Sequence, residues 1–125
     1  MEESNTRVDK IFTLKNENMN NFQAMMTDLP IEFAEVTNEI VQFAKKILNK
    51  ELNETIYINL TDHIRFAIDR AKEGLTVTNG LLWEIKQFYH QEYEIGLESL
   101  NIILSQLGIL LPEDEAGFIA LHIIN

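Results

Sequence analysis

The fold this sequence predicts is all-α, a compact five-helix antiparallel bundle behind an N-terminal linker, and three observations predict it. From Pro30 onward apolar residues recur at three- and four-residue steps, the period that gathers side chains on one helix face. Stop and start signals at Gly74, Thr78 with Asn79, Gly108 and Pro112 divide that pattern into helix-length pieces with short connections. Beyond a short N-terminal stretch there is no alternating strand pattern, no internal repeat and no low-complexity tract.

Residues 1–28 are polar and asparagine-rich, and the piece Arg7-Val-Asp-Lys-Ile-Phe-Thr-Leu14 has too few apolar residues for a core. They are expected to be a strand remnant and a linker, leaving 29–125 as the folded domain. A first helix is predicted over 31–49, with Val36, Ile40, Phe43, Ala44, Ile47 and Leu48 on one face. A second, over 56–73, carries Tyr57, Leu60, Ile64, Ala67, Ile68 and Ala71, and Gly74 stops it as a left-handed cap. Thr78 or Asn79 can cap a third helix through Leu81, Leu82, Ile85 and Phe88. After a break near His90 and Gln91, the stripe Tyr93, Leu97, Leu100, Ile103, Leu104 and Leu107 continues to Gly108. In Leu111-Pro-Glu-Asp-Glu115 proline suits the first helical position, and three carboxylates sit at the positive end of the helix dipole. The helix that follows, over about 113–124, is apolar on every side, so neighbours all round or another subunit must bury it. A homodimer is expected on that ground.

Composition narrows the function classes. At 125 residues, 46% hydrophobic and 24% charged, the chain has the size and make-up of one globular domain. With no cysteine there are no disulfides, thiolate metal sites or cysteine nucleophiles, which fits a reducing compartment; a cytoplasmic location is expected. The first residues lack the pattern of a secretion signal, and no window reaches the roughly 20 apolar residues of a membrane span, so no membrane insertion is expected. Twenty acidic residues against ten basic ones, a net charge of −10, repel a phosphate backbone and speak against direct nucleic-acid binding.

Chemistry has few places to reside. There is no Gly-x-Ser-x-Gly, phosphate-cradling glycine loop or His-Glu-x-x-His, so neither an enzyme nor a cofactor is expected. Three histidines remain, each to be weighed against the ordinary state of a helical histidine, packed or solvated. His63 lies at the border of the stripe formed by Leu60, Ile64 and Ala67, a position both oriented and reachable. Arg70, seven residues on, projects from the same side; it either approaches an anion on His63 or forms a surface ion pair. Asp62 points about 100° away round the helix, and spacing demands no contact with His63. His122 sits in the most apolar helix with Phe118 one turn and Glu115 two turns before it; a paired, neutral core histidine is the plain alternative to a functional one. His90 has the plainest surroundings and reads as solvated. A zinc site from His63, His122 and a carboxylate lacks close ligand spacing, and no metal is expected.

Four collinear segments carry a resemblance: Asn59-Leu-Thr-Asp-His-Ile-Arg-Phe-Ala-Ile-Asp-Arg70, Leu81-Leu-Trp-Glu-Ile-Lys-Gln-Phe-Tyr89, Glu94-Ile-Gly-Leu97, and the run from Leu111 to Asn125. Together they resemble the phosphotransferase-system regulation domain of BglG/SacY-type transcriptional antiterminators, over about residues 30–125. Residues 7–14 are similar to the last strand of the small RNA-binding domain that precedes the first such regulation domain. The resemblance implies that His63 and His122 accept phosphate, with Asp62, Arg70 and Glu115 as their possible surroundings, and that His90 matches no site. It also implies partners: a second copy of the chain, the EIIB domain of a sugar permease, HPr, and an RNA leader hairpin held only through an RNA-binding domain. Phosphorylation without the sugar would hold such a protein inactive; dephosphorylation would let it dimerise and prevent a terminator hairpin. Two rival classes are a helical dimerisation or scaffold module with inert histidines, and a metal-dependent enzyme built on His63, His122 and Glu115.

Overall fold

The helical period of the sequence is realised as five α-helices in the computed structural model, which describes residues 31–75 and 77–124. They are α1 (Ile31–Leu48), α2 (Ile56–Lys72), α3 (Leu82–Phe88), α4 (His90–Leu107) and α5 (Glu113–Ile124). No strand occurs among the described residues, and the strand remnant and linker expected over 1–28 lie outside them.

Helix α4 packs on α1 and, most extensively, on α5; α2 lies against α1 and α5, and the short α3 bridges α4 and α5. Their shared core is rich in isoleucine, with Ile40 from α1, Ile64 and Ile68 from α2, Ile95 and Ile103 from α4, and Ile119 and Ile123 from α5 all buried. Each fully buried aliphatic side chain is worth about 1.5–3 kcal/mol of transfer free energy. The α4–α5 contact is close because position 96 has no side chain: a Cβ at Gly96 would lie 2.9 Å from the Ala116 carbonyl carbon and closer still to its oxygen. Beyond α2, Gly74 adopts φ +75°, and the Gly74 and Leu75 N–H groups donate to the carbonyls of Ala71 and Arg70, closing the helix end.

Three expectations are corrected. The apolar stripe assigned to α3 is not a buried face: Ile85 alone is buried there, while Leu81 and Phe88 are 52% and 71% exposed, because two helical turns touch the bundle along a single line. Neither Thr78 nor Asn79 occupies the capping position, which falls to Leu81; the Asn79 side-chain oxygen instead accepts the Leu81 N–H ahead of the helix. Proline 112 precedes α5 and caps it through its carbonyl, which accepts the Glu115 N–H. The break between α3 and α4 is one residue, Tyr89, beside the predicted position. Of the apolar surface of α5, Ala116, Ile119, Ala120 and Ile123 are buried within the chain against α2, α3 and α4, whereas Phe118, Leu121 and Ile124 are only half-buried. Among the described residues no helix is long and apolar enough to cross a membrane.

Candidate functional site

Two pairs of residues with the same seven-residue spacing meet where α2 crosses α5. Seven residues is close to two helical turns, so His63 and Arg70 share one side of α2, and Glu115 and His122 one side of α5. Glu115 joins the helices: its Oε1 lies 3.0 Å from His63 Nε2 and its Oε2 accepts a hydrogen bond from an Arg70 terminal nitrogen at 3.0 Å. The His63 ring lies 5.1 Å from the His122 ring and 5.8 Å from the Phe118 ring, centre to centre. Side chains from two helices thus form one mostly buried cluster: His63 is 18% exposed, Arg70 30% and Glu115 4%.

Electrostatics sets the charge state of this cluster. Burial by itself pushes the Glu115 carboxyl up, but the hydrogen bonds and positive charge of His63 and Arg70 outweigh it and hold the group below the usual carboxylate range. Glu115 is therefore an anion at neutral pH. His122 goes the other way: burial, and then the proximity of His63, push its imidazole below the ordinary value, leaving it neutral with a lone pair. The Arg70 Nε–H is buried with no acceptor among the described residues. His122 also lines a cavity of about 310 Å³ with Leu52, Asn53, Thr55 and Asn59, so it is reachable from the side of the α1–α2 connection.

The other expected positions are less involved. Asp62, half-buried on α2, makes no side-chain hydrogen bond or ion pair with the described residues. His90 is exposed and stands 3.7 Å from Glu94 one turn on. No group of three histidine, aspartate or glutamate side chains among the described residues is disposed to hold a metal ion.

The sequence assigned the carboxylates 113–115 jointly to the α5 dipole, whereas each is engaged with a different element. Glu113 pairs with Lys86 of α3 at 2.8 Å and accepts the Tyr93 hydroxyl of α4. Asp114 accepts the Asn79 N–H at 2.6 Å. Lys86 and Tyr93 hold the Glu113 carboxyl down, while burial and that carboxylate hold the Tyr93 phenol up. The start of α5, and Glu115 with it, is thereby fixed to α3, α4 and the loop before α3. No residue spacing announces these cross-helix partners; only the acidic run itself was visible.

Known proteins similar to this chain share one family. The PRD domain model matches residues 38–125. The chain is 51% identical over 120 residues to the transcription antiterminator LicT of Bacillus subtilis (strain 168), covering 95% of this chain and 43% of that protein. It is 43% identical over 119 residues to a beta-glucoside operon antiterminator of Dickeya chrysanthemi, covering 94% of this chain and 42% of the relative. The chain thus spans less than half the length of these curated relatives. Among solved structures, the crystal structure of GlcT CAT-PRDI superposes with a TM-score of 0.83 at 35% identity, covering 88% of this chain and 66% of that one.

Proposed function

The chain belongs to the PRD domain family, and from that premise we propose that it is the first regulation domain of a bacterial transcriptional antiterminator, switched by phosphate on His63 and His122. The relatives it matches are named a transcription antiterminator and a beta-glucoside operon antiterminator. Residues 29–125 are the regulation domain, and residues 1–28 are the end of an RNA-binding domain with its linker. The donors are phosphorylated components of the sugar phosphotransferase system, a permease EIIB domain and HPr, in the cytoplasm. A second copy of the chain is the partner through which the phosphorylation state reaches an RNA-binding domain, the part that grips a leader hairpin.

The observation that carries this reading is the pair of imidazoles 5.1 Å apart on two helices beside one guanidinium. A neutral imidazole nitrogen such as that of His122 can attack the phosphorus of a phosphorylated donor, whose leaving atom departs with the bonding pair. The product carries up to two negative charges, and Arg70, with one N–H already lacking an acceptor, is the cation at hand. On a chain at −10 the added charge also strengthens repulsion between copies.

The test is phosphotransfer in vitro from phosphotransferase components, with labelled residues mapped under mild alkaline conditions that preserve phosphohistidine. His63 and His122 should carry the label and His90→Ala should leave it unchanged. Equal labelling of the wild type and the His63→Ala, His122→Ala double variant would overturn the assignment, and no labelling at all would favour a scaffold with inert histidines.

A further inference from the structure

We propose that Glu115 is a positioning residue that keeps the proton of the His63 imidazole on Nε2, so that His63 accepts phosphate on Nδ1. The proposal rests on His63 being an acceptor and goes further by naming the atom and the group that selects it.

A neutral imidazole has one N–H and one lone pair, and the partner of one nitrogen decides where the proton sits. The partner of Nε2 is a carboxylate that can only accept: Glu115 Oε1 at 3.0 Å, on a side chain 4% exposed. The carboxylate has no freedom to turn away, since its other oxygen holds Arg70 at 3.0 Å and a guanidinium only donates. Nε2 is therefore the donor, and the lone pair of the neutral ring is on Nδ1. Among the described residues Nδ1 has no hydrogen-bond partner, and it is not one of the buried polar atoms left without one, so solvent reaches it.

The step balances without a proton transfer. The Nδ1 lone pair forms the N–P bond, the donor's leaving atom takes the electron pair of the bond that breaks, and the Nε2 proton stays in place. The ring then carries a positive charge, directly opposite the Glu115 carboxylate. An arrangement that orients an imidazole in this way acts on which nitrogen reacts as well as on how readily it does.

Phosphoramidate, a phosphoryl donor that needs no protein partner and releases ammonia, tests the proposal on the 125-residue chain labelled with ¹⁵N. Phosphorus–nitrogen correlation spectra distinguish the two phosphohistidine isomers at each assigned ring. His63 should form the Nδ1 isomer, whereas the exposed His90, whose acidic neighbour at 3.7 Å is too distant to fix a tautomer, should carry both. Glu115→Gln gives the sharper contrast. Arg70 claims the amide oxygen, the amide NH₂ then faces Nε2, and the proton of the neutral ring moves to Nδ1. The Nδ1 isomer at position 63 should fall about tenfold, the change that one charge-assisted hydrogen bond commands. Ring-nitrogen shifts of the unphosphorylated proteins at pH 8 report the same exchange of tautomer without any phosphate. Formation of the Nε2 isomer at His63 in the wild type overturns the proposal, as does an unchanged tautomer in Glu115→Gln, or labelling of His90 with none at His63. Failure of phosphotransferase components to label a protein that phosphoramidate labels on Nδ1 would instead refute the proposed function and leave this inference standing.

Discussion

Removing Arg70 should be more damaging than its partial exposure suggests, because the charge it leaves behind is the buried one. In Arg70→Met the Glu115 carboxylate, 4% exposed in the native chain, retains only His63, whereas in Glu115→Leu the stranded Arg70 and His63, 30% and 18% exposed, can turn to water. Breaking a buried pair from one side costs about 3–5 kcal/mol, and replacing both partners by apolar groups is often near neutral. We therefore expect about 3 kcal/mol for Arg70→Met and roughly 2 kcal/mol for Glu115→Leu. The double variant should lose no more than Arg70→Met alone, a coupling of about 2 kcal/mol. For a domain of this size 3 kcal/mol lowers Tm by on the order of 15 °C. The acid dependence has a definite sign. The Glu115 carboxyl is held below its ordinary 4.5 in the folded chain, so its contribution is fully present above that value and is lost as pH falls through the folded pKa. In Arg70→Met one of the groups holding it down is gone and burial, which raises it, gains weight, so the gap between variant and wild type should narrow as pH falls below about 4.5. Urea unfolding of the four proteins at pH 7 and pH 4 reads both effects. Additive single losses, or a gap that widens in acid, would refute the bridge as the source of the coupling.

Gly96→Ala should destabilise by about 2 kcal/mol, because a methyl group meets the Ala116 backbone and drives α4 from α5 at a cost that exceeds the gain in helix propensity; thermal melts followed by circular dichroism check it, and a neutral variant would contradict the close approach. His122, whose folded pKa lies below its ordinary 6.5, contributes stability that is full above 6.5 and declines below it, so His122→Gln should flatten the stability profile between pH 6.5 and 5. A leader-RNA hairpin should show no gel shift with this chain at physiological salt, given the net charge of −10; a salt-sensitive, sequence-selective complex would count against that.

The helices were legible because their causes are local. The stripe from Tyr57 to Ala71 needs only the 3.6-residue period to be seen, and Gly74 only the rarity of a positive φ in other residues. His63 and His122 stood out because so few other residues in the chain can do chemistry, and the resemblance of their two contexts named the family that the comparisons then matched.

What the sequence could not decide were distances between residues far apart along it. Spacing put Arg70 on the His63 side of α2 but left its partner open; that partner is Glu115, 45 residues away, and the His63–Glu115 contact spans 52. Periodicity gave α3 an apolar stripe and α5 an apolar surface all round, yet Leu81 and Phe88 of the first are exposed and three neighbours bury only part of the second, since burial depends on what packs opposite. A single chain pattern records which residues share a helix face, whereas which faces meet is fixed by side-chain volume, by close approaches such as Gly96 on Ala116, and by pairing of buried charge. Those are properties of the assembled bundle, so the candidate residues were readable one by one and their joining through Glu115 was decided only when α2 and α5 packed together.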